Sequence, residues 1–441
     1  MRAAALRARP RLARARDVAT ESASARDLRR TILAFVVIGA IVFNFLLCFV
    51  NTNVLRTSAG VVMLAEVALI GAAFLVSLRD SFDLLAIIAV FLAYMLFLGA
   101  LQGSFDPKPA RDILIPFVFY FAALRVADPR MGDRIVYVSI AIVLAVGLFE
   151  YAFLKQYTKL FDIIGYYVSR GTVQTGASEL SEDRLFASGM RYEGRTLLPF
   201  LGEHRVSSVF LEPVSVGNFG AICFAWIVLR HWGRPLAMAL RLMPVVAIFV
   251  LADARFGLAV SLLSLIVFPL ARFVGRPLVA MAPFALVLAL AAVGFLYPDT
   301  AWDNTTRGRL LLSGQMLSNM SPAEVFAFVR TDRFVSDSGY VYTLVKIGLV
   351  GFAATWLLYV LVPARSDAAW RFRVFVAAYI CLLLTISNSI YSIKTAALVW
   401  FLMGALDAAP AAPLFRGADA AMGAGARRTR KRRAPLMRAA R

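Results

Sequence analysis

Three short stretches of this chain set polar side chains, which could do chemistry, beside long apolar runs. The first is residues 252–257, a very short connection that contains Asp253 and Arg255. A guanidinium holds phosphate oxygens in a two-pronged hydrogen bond, so Arg255 could clamp an anion at the mouth of a cavity. The alternative is an interfacial arginine that pairs with Asp253.

The second stretch, residues 204–213, contains Arg205 and leads through Glu212 and Pro213 into an apolar run. Proline suits the first turn of a helix, which places Glu212 near a helix N-terminus. There the helix dipole could simply stabilise the carboxylate. Alternatively, Glu212 could act as the general base for an attacking hydroxyl group.

The third stretch begins at Asp337 and Ser338, in front of another apolar run, and as a plain motif it is a helix N-cap. Charged residues also fall inside apolar runs, where they are costly and usually face a wet cavity or a partner. They are Glu66, Lys346 and Lys394, and the sequence does not indicate which of them pair. No D-x-D or E-x-D pair lies on the predicted exterior side, so we expect no metal site.

The elements that must position these residues are membrane-spanning helices. Hydrophobic residues make up 60% of the 441 residues, and the mean hydropathy is +0.74, far above soluble globular values. The sequence therefore predicts an all-α polytopic membrane protein with about twelve transmembrane helices. The predicted spans are residues 31–51, 59–78, 82–101, 112–124, 134–154, 208–229, 236–252, 256–273, 278–296, 340–363, 374–388 and 390–406.

Two connections, residues 155–205 and 297–338, are much longer than the others. Loops of this length are uncommon unless they have a function. With a cytoplasmic N-terminus, the short loops with clustered arginines fall inside, as the positive-inside rule requires, and both long loops fall outside. Arg56, Lys108 and Arg111 also fall outside and count mildly against this topology. The arrangement predicts chemistry at the outer membrane face on an anionic, lipid-linked substrate.

The two ends of the chain are basic tails. We assign residues 1–30 and 407–441 to cytoplasmic tails and residues 31–406 to the transmembrane domain. Residues 1–30 and 415–441 together carry +14 of the net charge of +20. Such flanks are what the positive-inside rule predicts for cytoplasmic termini near anionic lipid, so nucleic-acid binding is not expected.

In this order, the three stretches resemble the superfamily of bacterial O-antigen and exopolysaccharide polymerases (Wzy-type) and O-antigen ligases. The family pattern R-x-x-[GS]-x-[FL]-x-[EN]-P is similar to the sequence at Arg205, Ser208, Phe210, Glu212 and Pro213. The arginine of the short connection also resembles an arginine of the family.

The ligase signature H-[NSQ]-x9-G-x-x-[GTY] aligns with Asp337, Ser338, Gly348 and Gly351. Aspartate replaces the histidine that is the ligase hallmark, and this difference favours the polymerase branch. Residues 387–394 also resemble exopolysaccharide polymerases.

The resemblance implies a GT-C-like, metal-independent glycosyltransferase of the bacterial inner membrane that uses no cofactor. It would polymerise undecaprenyl-diphosphate-linked oligosaccharides at the periplasmic face, with the lipid bilayer, a chain-length regulator and a flippase as further partners. Arg205, Arg255 and Arg309 would bind the lipid diphosphate and stabilise its departure. Glu212 or Asp337 would orient or deprotonate the acceptor hydroxyl, and the sequence does not choose between them.

Two competing functions stay open. An O-antigen ligase would use the same clamp and pass the glycan to another acceptor, and Asp337 in place of histidine argues against it. A polysaccharide-related transporter would be favoured by inverted repeats and broken helices, and neither is visible in the sequence. The sugar, its linkage and the oligomeric state are not predicted.

Overall fold

A computed structural model describes residues 23–78, 81–173, 184–191, 194–301, 305–331 and 338–408. Throughout these ranges the chain is helical, apart from its connections and one isolated bridge between Met190 and His204. The prediction of an all-α fold is confirmed for this part of the chain.

In chain order the α-helices are α1 (Ala23–Asn53), α2 (Ala59–Ser77), α3 (Phe82–Leu101), α4 (Pro107–Val126), α5 (Pro129–Ala152), α6 (Leu154–Leu160), α7 (Ile163–Ser169), α8 (Pro213–His231), α9 (Pro235–Ala252), α10 (Arg255–Leu270), α11 (Arg276–Leu296), α12 (Thr306–Ser318), α13 (Pro322–Val325), α14 (Gly339–Leu361), α15 (Asp367–Leu383) and α16 (Ile393–Ala408). Short 3-10 helices lie at Ala187–Gly189, Pro199–Leu201, Ser208–Phe210, Ala271–Phe273 and Ser389–Tyr391.

Within the described ranges, nine helices are long and apolar enough to cross a membrane, namely α1, α2, α3, α5, α8, α9, α10 with its 3-10 extension, α11 and α14. A multi-pass membrane protein is thus supported. The other three predicted spans overlap with α4, α15 and α16, although α15 begins seven residues before the predicted span 374–388 and ends five residues before its end. Charged residues interrupt α4, while α15 and α16 have only 17 and 16 residues. The count of twelve spans and the GT-C class remain predictions.

The helix ends gather in two layers. In one layer Arg30 of α1 pairs with Asp128 in front of α5. In the same layer Arg230 of α8 pairs with Asp133 of α5, with 2.8 Å between Nη2 and Oδ2. We call this layer, which holds the start of α1 and the end of α16, the tail end.

The opposite layer holds the described parts of both long loops, and we call it the loop end. Here Asn53 donates a hydrogen bond to the carbonyl of Leu160 in the first long loop, at 2.8 Å. Gln102 donates to the carbonyl of Ala327 in the second long loop, also at 2.8 Å. The described parts of both long loops therefore lie at one end of the bundle, and the assignment of this end to the periplasm remains a prediction.

The centre of the bundle is formed by α8 and α16. In the most apolar part of α8, 89% of the residues are buried, against 22% in α3 and in α11. A helix that is apolar on all sides is expected to be surrounded by protein. α16 packs closely on α4, since a methyl group on Gly404 would lie 2.3 Å from the carbonyl oxygen of Tyr120. The first residues of α8 and α16 therefore reach the loop end from inside the bundle.

α14 is broken at Gly348, where φ is 75° and ψ is 160°. Residues other than glycine are strained in this conformation. A methyl group here would also lie 2.6 Å from the carbonyl oxygen of Phe326. Next to the break, the Tyr94 hydroxyl donates to the carbonyl of Ile347 at 2.8 Å. Gly351, the second glycine of the aligned signature, is also closely packed, since a methyl group there would lie 2.7 Å from the Tyr94 ring. Packing alone therefore accounts for glycine at both positions.

Replacing Gly348 with alanine is expected to destabilise the protein by about 1–3 kcal/mol, the usual range for a forced backbone conformation. The matched control is Gly71→Ala in α2, where a methyl group would meet nothing within 4 Å and alanine favours the helix. Thermal unfolding of the detergent-purified protein should show a lower midpoint for Gly348→Ala alone. Equal midpoints for the two variants would contradict the structural role of Gly348.

Candidate functional site

Asp253 is the centre of one polar cluster at the loop end. It follows α9 in a left-handed conformation, with φ 46°, and its side chain is fully buried. One carboxylate oxygen accepts hydrogen bonds from the backbone N–H groups of Leu197 at 2.7 Å and Thr196 at 3.1 Å. The other oxygen pairs with Arg191. Asp253 therefore ties the first long loop to the end of α9.

Two further arginines lie beneath this connection. Arg205 is 8% exposed and donates to the carbonyls of Ala252 at 3.2 Å and Ser188 at 3.0 Å. Arg195 donates to the carbonyl of His204 at 3.0 Å. Because carbonyl groups occupy both guanidiniums, these arginines hold the backbone in place and contribute positive charge. We use the name Asp253 cluster for Arg191, Arg195, Arg205, Asp253 and Arg255.

Positive charge exceeds negative charge in the described part of the Asp253 cluster. Burial and the neighbouring Arg191 lower the pKa of Arg205 to about 10. Burial also lowers the pKa of Arg195. Both side chains stay protonated at neutral pH and repel each other. An anion bound beside them would relieve this repulsion.

Arg255 is the exposed member of the Asp253 cluster and the first residue of α10. It does not pair with Asp253, whose carboxylate is taken by Arg191 and the loop backbone. Within the described ranges its guanidinium forms no hydrogen bond or ion pair. A cation with free donors therefore stands at the edge of a positively charged cluster.

Residues 204–212 turn back into the bundle at the end of the first long loop. Glu150, fully buried near the end of α5, accepts from the backbone N–H of Ser207 at 2.9 Å. The same carboxylate lies 3.0 Å from the Nε2 atom of His204. One buried acid thus fixes the path of the segment that carries Arg205 and Glu212.

The turn that ends this segment is strained. Ser208 and Leu211 have φ values of 49° and 62°, which are uncommon for residues other than glycine. The Ser208 hydroxyl also donates to the carbonyl of Val143 at 2.7 Å. Val143 lies nine residues before the end of α5, about 14 Å along the helix. The turn therefore sets Glu212 inside the bundle rather than on its surface.

Glu212 precedes α8 but its carboxylate does not cap that helix. It lies 3.2 Å from the Lys394 Nζ, accepts from the Ser215 hydroxyl at 3.1 Å, and accepts from the Tyr167 hydroxyl. The Glu212 side chain is 27% exposed, so one face stays open. We call Tyr167, Glu212, Ser215 and Lys394 the Glu212 cluster.

The Glu212 carboxylate is ionised at neutral pH. Burial raises its pKa, but the Lys394 ammonium and the hydrogen bond from Tyr167 outweigh burial and hold the pKa below its usual value. Burial and the charge of Glu212 raise the pKa of Tyr167 well above its ordinary value, so Tyr167 stays a donor. The arrangement favours accepting a hydrogen bond from a ligand hydroxyl, and the low pKa limits the strength of Glu212 as a base.

Other polar groups line the space beside Glu212. The Arg170 guanidinium lies 5.4 Å from the centroid of the Tyr167 ring. Asn218 donates to the Ser389 hydroxyl at 3.5 Å, and its own carbonyl oxygen is buried without a partner among the described residues. A few convergent polar groups in a concave site are typical of ligand recognition.

α8 and α10 bring the two clusters to the same level. A methyl group on Gly257 would lie 2.4 Å from the carbonyl oxygen of Gly217, so the helices touch there. Glu212 lies five residues before Gly217, and Arg255 lies two residues before Gly257. At 1.5 Å per residue, both lie within about 8 Å of the contact along the helix axes. The structure thus places these two predicted site residues on adjoining helices at one end.

Asp337 lies outside the described residues. Its neighbour Ser338 caps α14, since its hydroxyl accepts from the Val341 N–H at 3.3 Å. Arg309 lies in α12, and no hydrogen bond or ion pair between described residues joins it to the Asp253 cluster or the Glu212 cluster. The roles predicted for Asp337 and Arg309 therefore stay predictions.

The charged residues inside apolar runs have partners. Lys346 lies 3.1 Å from Asp106 in front of α4. Glu66 pairs with Arg111, and the third residue, Lys394, belongs to the cluster described above. The pairing gives a structural reason for Arg111 at the loop end, which the sequence predicts to lie outside.

An apolar cavity lies between α3, α4, α14, α15 and α16. Asp112 and Tyr391 stand at its loop end, and Arg373 stands at its tail end. Its wall along α14 runs from Ile347 to Val362, about 22 Å of helix. The cavity is apolar but has a volume of only about 130 Å³, which is room for a short piece of a lipid chain.

Sequence reasoning missed several residues of this region. Glu150 was missed because it follows a long apolar run, where a polar residue ordinarily marks the end of a membrane span. Tyr167 and Arg170 lie in a loop interpreted as hydrophilic. The available signal was the tyrosines of that loop, since Tyr157, Tyr166 and Tyr167 are all buried against the bundle.

Within the described ranges, no group of three or more His, Cys, Asp or Glu side chains could hold a metal ion. Metal independence remains a prediction, because a metal can also be held by fewer protein ligands and by its substrate.

Comparison of the chain with protein-family models, with curated proteins and with solved structures gives no match.

Removing the Glu150 carboxylate is expected to release residues 204–212 from the bundle. In Glu150→Ala the buried N–H groups of Ser207 and Ser208 lose their acceptor, which costs about 1–3 kcal/mol for each group. Limited proteolysis followed by mass spectrometry should show faster cleavage in this segment. The control is Glu203→Ala, because Glu203 is an exposed acid immediately before the segment. Equal cleavage rates would show that Glu150 does not hold it.

Proposed function

We propose that the protein is a membrane glycosyltransferase that polymerises undecaprenyl-diphosphate-linked oligosaccharides. The observation that carries the proposal is Arg255, an exposed cation without a described partner beside a cluster with excess positive charge. It stands one helix away from the ionised carboxylate of Glu212. A cationic site for a lipid diphosphate next to an acceptor for a hydroxyl proton is what such a transfer needs.

In the proposed reaction the diphosphate of the donor lies against Arg255. The buried charge of Arg205 strengthens the local positive potential without direct contact, because carbonyl groups occupy its guanidinium. Negative charge grows on the diphosphate as it leaves the sugar, and fixed cations stabilise that charge more in the transition state than in the ground state. Arg309 would add to this stabilisation if the second long loop closes over the site.

The acceptor is a hydroxyl group of the second oligosaccharide. Its oxygen forms a bond to the anomeric carbon of the donor while the bond from that carbon to the diphosphate oxygen breaks. The diphosphate keeps the electron pair of the broken bond. Glu212 or Asp337 orients the hydroxyl and receives its proton, and the choice between the two carboxylates stays open.

The lipid chain of one substrate has a place in this arrangement. The segment 389–394 separates the apolar cavity from the Glu212 cluster. Ile390 and Tyr391 line the cavity, while Ser389 contacts Asn218 and Lys394 pairs with Glu212. A prenyl chain in the cavity would therefore bring its diphosphate to the loop end beside the reacting groups.

The proposed setting is the periplasmic face of the bacterial inner membrane, with both termini in the cytoplasm. This orientation follows from the distribution of arginines along the sequence. A chain-length regulator and a flippase would be the protein partners of such a polymerase.

Transport is a second candidate, and one observation favours it. The break in α14 at Gly348 lies near Lys346, and discontinuous helices often form substrate sites in transporters. A transporter would move a lipid-linked glycan without changing its length, so product analysis separates the two functions.

Arg255→Ala is expected to lower polymer formation by at least about 100-fold, the usual effect of removing one group that stabilises a developing negative charge. The purified full chain would be mixed with the undecaprenyl-diphosphate oligosaccharide of its host in the presence of EDTA, and products separated on a gel. The control is Arg307→Ala, which removes another exposed arginine of the loop end.

A ladder with the spacing of one repeat unit from the unmodified protein, lost in Arg255→Ala alone, supports the proposal. Normal chain lengths in the Arg255→Ala variant would overturn the assignment. Glycan transfer that requires an added acceptor such as lipid A core would identify a ligase instead.

Lys394→Met is expected to move the acidic limit of activity to higher pH. In the unmodified protein the Lys394 ammonium and the Tyr167 hydroxyl hold the pKa of Glu212 below its usual range, so its carboxylate stays charged until the medium is strongly acidic. Without Lys394 only the hydrogen bonds from Tyr167 and Ser215 offset the burial of Glu212, so its pKa rises and activity is lost at a higher pH as the medium is acidified. The measurement is the polymerisation rate against pH, with the exposed Lys155→Met as the control. Identical profiles for both variants would rule out this role for Lys394.

A further inference from the structure

A groove with a volume of about 420 Å³ lies between α1 and α5 at the tail end. This volume falls within the roughly 300–1,000 Å³ that is typical of small-molecule sites. Its rim carries Arg30 of α1 and Arg130 and Arg134 of α5, and its floor is apolar, with Ala34 and Ile135. The groove is at the opposite end from both clusters of the candidate site, so the proposed reaction gives it no role.

The three arginines of the rim differ in their contacts. Arg30 pairs with Asp128, which also accepts from the Met131 N–H at 2.8 Å and so caps α5. Arg130 and Arg134 are exposed, and within the described ranges their side chains form no hydrogen bond or ion pair. Four residues apart on one helix, they lie on the same face. The groove therefore has two cations with donors to spare.

Beyond the groove, α1 and α5 carry exposed apolar side chains. Phe35 of α1 is 72% exposed and Val138 of α5 is 45% exposed. These side chains lie further along their helices than the arginines, at the depth where a bilayer would contact them. A molecule with an anionic head and apolar chains would contact both regions, whereas a soluble anion would gain nothing from the apolar wall.

We propose that this groove binds the headgroup of an anionic phospholipid. Arg130 and Arg134 would hold one phosphodiester, and the acyl chains would lie along Phe35 and Val138. Three arginines against Asp27 and Asp128 leave the groove with one excess positive charge, which one phosphodiester neutralises. Basic pockets between transmembrane helices near the membrane surface take such headgroups.

The test is a titration of the detergent-purified full chain with phosphatidylglycerol or phosphatidylcholine, with bound lipid counted by native mass spectrometry. The variant is R130Q/R134Q, and the matched control is R241Q/R276Q, which removes two other exposed arginines of the tail end. The basic tails are the same in both variants, so their contribution cancels in the comparison. The preference for phosphatidylglycerol should fall about 25-fold in R130Q/R134Q, since each arginine near a membrane surface contributes roughly fivefold.

A second variant tests the apolar floor without changing charge. Ala34→Leu should fill part of the groove and weaken phosphatidylglycerol binding while the protein still elutes as a single species. Inorganic phosphate, added as a competitor, should leave lipid binding unchanged.

Three results would overturn the proposal. Equal losses in R130Q/R134Q and R241Q/R276Q would indicate diffuse surface charge rather than a site. Efficient competition by inorganic phosphate would indicate a site for soluble anions. No preference for phosphatidylglycerol in the unmodified protein would exclude an anionic lipid site altogether.

Discussion

Charge buried at the loop end has to be balanced inside the protein, because packed helices and lipid offer little water to stabilise it. Two buried acids anchor the first long loop within this balance. Asp253 faces the arginines of its cluster and holds the loop backbone to α9. Glu150 holds the segment that ends at Glu212. These two carboxylates therefore determine the positions of Arg255, Glu212 and the first long loop.

The helices of the bundle could be predicted from sequence because each needs only a long apolar run, which is a local property. The break at Gly348 could not, since one glycine in an apolar run is common. What makes it a break is the approach of Phe326 from the second long loop. Likewise the pairing of Glu66 with Arg111 joins residues on different helices, and no local pattern encodes it.

The candidate site was predicted in part. Arg255 stood out as an arginine in a very short connection, and Glu212 as an acid beside Pro213 in front of an apolar run, and both patterns are local in the sequence. The contacts of Arg205 could not be predicted, since a buried arginine bonded to carbonyls and an arginine bound to a ligand look alike in sequence. Arg170 reaches the site only because α7 packs against α1, which is a tertiary effect.

α16 carries an ion pair near each of its ends. Lys394 pairs with Glu212 in the loop-end layer, and Asp407 pairs with Arg373 in the tail-end layer at 2.6 Å. Lys394 and Asp407 are thirteen residues apart, which is about 20 Å along a helix. The hydrocarbon layer of a bilayer is about 30 Å thick. The polar levels are thus too close together for both to sit at the membrane surfaces. At least one of the two ion pairs must therefore lie below the membrane surface, where protein takes the place of water around it, since Arg373 and Asp407 are each only 1% exposed.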